Sequence, residues 1–147
     1  MKEIYSEIQI KGSPALIWKV FTECEKYPEW NPFIKSLDGN IKKGKFIEVF
    51  IQPPDMKGMT FKSKIISYDE YKELSWKGSF IIPGLFDGTH TFKLESVDDE
   101  HTNFIQKEEF KGLFLPFFKR DMHEKTEKGF ELMNEALKKL VEEQGTQ

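Results

Sequence analysis

The hydrophobic period of this chain changes once, near Pro116, and that change restricts the fold more than any other feature of the sequence. From residue 34 to 112 the apolar residues come in short alternating runs, the period of a strand. Turn-forming clusters separate these runs at Asp38-Gly39-Asn40, Pro53-Pro54-Asp55, Asp69-Glu70, Pro83-Gly84 and Asp98-Asp99-Glu100, a spacing that fits six strands. Beyond Pro116 the period becomes helical, with Phe118, Met122, Thr126, Gly129, Phe130, Met133, Leu137 and Leu140 on one stripe. Residues 3 to 11 alternate as well, with Ile4, Ile8 and Ile10 on one face. The whole pattern predicts an α+β fold in which a curved, seven-stranded antiparallel sheet wraps round a long C-terminal helix.

Two short helices are expected between the first and second strands. Ser13 supplies an N-cap and Pro14 a first helical residue, and Leu16, Ile17, Val20 and Phe21 form the apolar face of a helix that stops near Cys24. The segment Tyr27-Pro28-Glu29-Trp30-Asn31-Pro32-Phe33 has two prolines four residues apart, which leaves room for one helical turn before the chain becomes extended. A length of 147 residues without repeats or linkers suits one domain, 1–147, and 14 Phe with 4 Tyr and 3 Trp rule out a disordered chain. The net charge of −3 gives no general field for attracting nucleic acid or an anionic membrane, which leaves only a local patch open to either. The lone Cys24 and the lack of an apolar leader point to a cytoplasmic protein. No membrane span is expected, because the longest apolar stretches, at 80–86 and 112–118, are about a third of what a spanning helix needs.

From Tyr27 to Phe33 the sequence resembles the START-like superfamily (SRPBCC), which includes polyketide cyclase/dehydrase-like proteins and the birch pollen allergen family. The likeness covers nearly the whole chain. It extends to Ser13-Pro14, Leu74-Ser75-Trp76-Lys77-Gly78, Pro83-Gly84-Leu85-Phe86, His90-Thr91-Phe92-Lys93-Leu94-Glu95, Glu108-Glu109-Phe110-Lys111-Gly112-Leu113, and Gly129-Phe130 with Met133-Asn134. The resemblance implies a helix-grip fold with a cavity between sheet and long helix, usually used to hold an apolar small molecule. Members include carriers, receptors, co-chaperones and proposed cyclases, so fold alone does not select an activity.

Strand parity identifies what would line such a cavity. On 88–95 the even positions His90, Phe92 and Leu94 face inward, and on 102–111 so do Phe104, Gln106, Glu108 and Phe110. A hairpin that puts both apolar faces on one side sets His90 opposite or diagonal to Glu108. A histidine, a glutamate and a glutamine thus share an aromatic interior. Such a pair could do acid/base work or, more plainly, hold strands together and anchor the polar end of a ligand. Glu108 and His90 are therefore the catalytic candidates. The expected ligand-binding set is Trp76, His90, Phe92, Gln106, Glu108, Phe110, Met122, Gly129 and Met133, where Gly129 would either leave room for a ligand or let helix and sheet pack closely.

The loop at 79–86, the junction at 112–117 and the loop at 53–58 are expected at one end of the sheet. Phe80, Ile81, Ile82, Leu85, Phe86, Leu113, Phe114, Leu115 and Phe117 make that end unusually apolar, a ligand entrance, a partner surface or a membrane contact unless the side chains fold back onto their own core. Met56 and Met59 flank it. Trp18 and Trp30 read as packing residues. His90, His101 and His123 lack any paired ligand spacing, so no metal and no cofactor is expected. Three functions fit these residues. The first is a carrier or sensor, a monomer or weak dimer, binding a small apolar or amphipathic molecule oriented by His90, Glu108 and Gln106. The second is a cyclase/aromatase-like enzyme using Glu108 or His90, and the third a co-chaperone-like module docking through the apolar end.

Overall fold

The structure, a computed structural model, describes residues 2–145. Seven strands form one antiparallel sheet: β1 (Lys2–Lys11), β2 (Ile34–Gly39), β3 (Phe46–Ile51), β4 (Met59–Asp69), β5 (Glu73–Phe80), β6 (Asp87–Ser96) and β7 (His101–Lys111). Their order across the sheet is β1-β7-β6-β5-β4-β3-β2, so consecutive hairpins run from β2 to β7 and β1 closes on the last of them. The helices are α1 (Pro14–Thr22), α2 (Tyr27–Trp30) and α3 (Arg120–Gly145). This is the helix-grip arrangement that the sequence pattern predicts.

Local chemistry accounts for the element boundaries. Ser13 caps α1, its hydroxyl accepting the Leu16 N–H at 3.2 Å, and Pro14 opens the first turn. A single 3-10 turn at Cys24–Lys26 joins α1 to α2. The Asn31 side chain then ends α2 and starts β2, its Oδ1 accepting the N–H of Phe33 at 3.0 Å and of Ile34 at 2.9 Å. A 3-10 turn at Leu115–Phe117 lies between β7 and α3, so the long helix begins at Arg120 rather than directly after Pro116.

The core lies between the concave face of the sheet and the α1/α3 pair. Parity holds on β6, where Gly88, His90, Phe92 and Leu94 are buried and Lys93 and Glu95 are exposed. On β4 and β5 it breaks. A bulge between Ile65 and Ser67 shifts the register, so Trp76 pairs with Ile65 but Ser75 with Ser67. Trp18, off the apolar stripe of α1 by position, is nonetheless buried, with Phe21 at 6.0 Å and Tyr68 of β4 at 5.5 Å between ring centroids.

Candidate functional site

His90 and Glu108 stand directly opposite in the β6–β7 register, in one row with Ile65, Trp76 and Ile4. Both are buried, at 2% and 6% exposure. His90 Nδ1 lies 3.4 Å from Glu108 Oε1, an ion-pair distance longer than a formed hydrogen bond. On the other side of the ring, Nε2 is 3.0 Å from Gln106 Oε1. The amide of Gln106 is oriented by α3: its Nε2 donates to Asn134 Oδ1 at 2.7 Å and to the Phe130 carbonyl at 3.3 Å. Asn134 Nδ2 in turn donates to Ser6 Oγ of β1 at 3.0 Å.

This chain of bonds fixes the imidazole. Because Gln106 presents an oxygen, His90 Nε2 carries a hydrogen and donates it, and Nδ1 is left facing the Glu108 carboxyl. The pair is clamped between aromatic faces, with Phe92 stacked on His90 at 4.1 Å, Phe130 at 5.0 Å and Trp76 at 5.5 Å. Asn134 and Ser6 were not among the expected site residues. Asn134 sits one position after Met133 among the buried residues of α3, and the sequence marked it only by that adjacency and by the Met133-Asn134 pair of the family resemblance.

Close to this row, the inner face of the sheet lacks side chains. Ser63 pairs with Gly78, Gly78 with Gly88, and Gly88 with Phe110, so three neighbouring strands present a serine and two glycines in one line. Ser63 Oγ reaches to 1.9 Å from the point where a Cβ on Gly78 would stand, and Glu108 Oε2 to 3.0 Å from the same point on Gly88. Ser63 is 2% exposed, yet its hydroxyl has no hydrogen-bond partner, an arrangement that costs about 1–3 kcal/mol in a dry core. Asn31 Nδ2, at the β2 end nearest Met59, is the second such atom among the described residues.

Beyond this row the sheet ends in an aromatic hollow of about 140 Å³ lined by Met59, Phe80, Phe86, Phe114, Phe117, Phe118 and Met122. Its floor is a packed set of rings: Phe86 stacks on Phe110 at 5.0 Å, and Phe118 lies 5.0 Å from Phe110 and 5.6 Å from Phe86. The 81–86 and 112–117 loops are joined at its rim, where Leu113 N–H donates to Gly84 O at 3.0 Å and Phe114 N–H to Leu85 O at 2.9 Å. A larger groove of about 510 Å³, between the end of α1 and β2, is bordered by polar residues such as Thr22, Glu25, Asp38 and Asn40 and is separate from the buried row.

The expected ligand-binding residues therefore divide. Met122 lines the hollow, Phe110 forms its floor, and Trp76, His90, Gln106 and Glu108 lie deeper. Phe92 and Met133 are wholly buried. Of the two roles open to Gly129, the structure contains the close-packing one: Phe33 Cδ1 is 2.5 Å from where a Gly129 Cβ would stand, so a phenylalanine fills the space left by the glycine. Elsewhere, His101 Nδ1 bonds Asp98 Oδ1 at 2.9 Å in the β6–β7 turn. Burial pushes the Cys24 thiol up to about 12, which leaves it unreactive. Among the described residues no group of three or more His, Cys, Asp or Glu could hold a metal ion, and no helix is long and apolar enough to cross a membrane.

Solved structures share this architecture. A hypothetical protein, jhp0584, from Helicobacter pylori superposes with a TM-score of 0.80 at 10% identity, covering 95% of this chain and 88% of its own. The Zhui aromatase/cyclase from Streptomyces sp. R1128 gives 0.76 at 14% identity, over 96% and 93%. Ara h 8.0201 gives 0.72 at 19% identity, over 97% and 98%. At these identities the likeness is one of fold. A search of curated proteins found no match. The family model described as "Polyketide cyclase / dehydrase and lipid transport" matches residues 1–142, and with the helix-grip fold it shows that the chain belongs to this family of the START-like superfamily.

Proposed function

We propose that the protein binds a small hydrophobic or amphipathic molecule that enters through the aromatic hollow and reaches the Ser63-Gly78-Gly88 row. The observation that carries this reading is the unpartnered Ser63 hydroxyl, buried beside two positions without side chains. An isolated packing role would favour alanine there, since a methyl group has nothing to desolvate. A ligand with a hydroxyl or carbonyl at its inner end would complete that bond, while Glu108 offers an acceptor at the far end of the row. Family and fold are both compatible with this reading.

The test is a titration with the fluorescent apolar probe 1-N-phenylnaphthylamine, with native mass spectrometry for stoichiometry. Saturable binding at one site, weakened at least about tenfold by Met122→Trp, which fills the hollow, is the expected result. No saturable binding, or binding indifferent to that substitution, would overturn the reading.

A second reading, cyclase/aromatase-like acid/base catalysis, is favoured by one observation, the buried His90 imidazole and Glu108 carboxyl facing each other at 3.4 Å. Glu108→Gln keeps the shape and removes the acid. Under this reading it abolishes turnover of a polyketide-like substrate while binding survives; unchanged turnover rejects it.

A further inference from the structure

The residues that frame the hollow are exposed and apolar to a degree their surroundings do not explain. Leu113 is 76% exposed, Phe117 68% and Ile81 67%, with Ile82 and Phe114 near half. They do not sit on loose loops, because the hydrogen bonds from Leu113 and Phe114 to Gly84 and Leu85 bind the two segments into one unit. Gly112 allows that approach: a Cβ there would stand 2.3 Å from Leu85 O. Ile81 is held at φ 71°, a conformation that β-branched residues rarely adopt. Burial of its side chain does not compensate, since that side chain points into solvent.

Charge is distributed to match. The segment Lys111–Arg120, KGLFLPFFKR, holds three cations and no acid, and residues 81–86 carry no charge. The chain as a whole is at −3, so everything outside this segment sums to −6. Arg120 pairs with Glu124 at 3.0 Å, but Lys111 and Lys119, both exposed, have no ion-pair partner among the described residues. Of the acids nearby, Asp121 pairs with Lys125 at 3.0 Å, while the Asp87 carboxylate, opposite Lys111 in the β6–β7 register, accepts the Gly84 N–H at 3.0 Å and keeps its charge.

We infer that this end of the molecule docks on an anionic phospholipid surface, with Leu113, Phe114, Phe117, Ile81 and Ile82 entering the headgroup and upper acyl region and Lys111 and Lys119 meeting the lipid phosphates. Aliphatic and phenyl side chains between basic residues are the composition that interfacial insertion requires. Phe114 and Phe117 also line the hollow, so docking would face it toward the bilayer. An apolar ligand would then pass between bilayer and protein without crossing water.

The experiment is co-sedimentation of the full chain with phosphatidylcholine vesicles, with and without phosphatidylglycerol. Binding to the anionic vesicles at least about tenfold stronger than to the neutral ones is expected. Lys111→Gln with Lys119→Gln should weaken it about thirtyfold, since each basic residue near the surface is worth roughly fivefold. Leu113→Ser with Phe117→Ser should abolish it. The four side chains are solvent-exposed, and unchanged circular dichroism melting curves verify that the variants fold. Absence of vesicle binding, or binding indifferent to both double variants, overturns the inference. So does self-association that the serine variant abolishes without any vesicle binding, which would make the patch a face between copies of the chain. The phenylnaphthylamine titration on the lysine variant separates the two proposals, because cavity binding is expected to persist there whether or not vesicles bind.

Discussion

The two halves of the interior are built on opposite rules. In the half nearest α1, rings and polar atoms have partners: Phe21, Phe92 and Phe104 pack ring against ring, and the chain from Ser6 through Asn134 and Gln106 to His90 is hydrogen-bonded throughout. In the half toward the hollow, side chains are missing at Gly78 and Gly88, a hydroxyl has no partner, and an isoleucine is strained in solvent. The contrast is one of pairing: partners are complete in the first half, and the second keeps a buried hydroxyl without one. Stability is concentrated in the first and adaptability in the second.

The sharpest way to break this contrast is Gln106→Leu, which strands His90 Nε2 and Asn134 together. A loss of about 3 kcal/mol in urea unfolding is expected. A loss below about 1 kcal/mol would mean that the polar chain does not hold the paired half.

Gly129→Ala comes next. Helix propensity alone would gain about 1 kcal/mol, but the new methyl group meets the ring of fully buried Phe33, and overpacking of that kind costs about 1–3 kcal/mol. A net destabilisation near 1 kcal/mol is the expected outcome of thermal melts, and a stabilised variant would show slack beside Phe33.

Ile81→Gly tests the other half and should have the opposite sign. It relieves a positive φ and removes an exposed side chain, so stability should rise by up to about 1 kcal/mol, while vesicle binding falls.

The smallest effect belongs to Glu142, near the far end of α3. The Lys138 ammonium at 2.7 Å and the Lys11 N–H at 3.0 Å hold its carboxyl below the usual carboxylate range. A carboxyl lowered in the folded state stabilises the fold above the unfolded-state value, and that contribution disappears as pH falls through the lowered one. Glu142→Gln should therefore cost less than about 1 kcal/mol at pH 7, and the difference from the parent should vanish in acid melts.

How much of this was legible in the sequence follows from range. Parity within one hairpin was enough to put His90 against Glu108, because the β6–β7 turn is short and the register unbroken. Recognising that Ser63, Gly78 and Gly88 form one line required the register of three strands at once, across a bulge between Ile65 and Ser67 that defeats counting from either end. The packing of Phe33 on Gly129 joins residues nearly a hundred positions apart, with no periodic signal to announce it. Asn134 was readable as a neighbour of the buried stripe, but its bond to Ser6 depends on how α3 lies over β1, which pattern alone does not determine.

The pairing of β1 with β7 has a consequence for biosynthesis. Lys2 is matched with Phe110, so β1 waits for β7 to leave the ribosome. At about 5–20 residues per second, that interval is roughly 5–20 s. During it Ile4 and Ile10 have no sheet to join, and α3, which also packs on β1, arrives later still. The five hairpin connections between β2 and β7 can form as the chain emerges, whereas closure of the sheet waits for β7. On a nascent chain β1 is therefore expected to need protection long after it has been made.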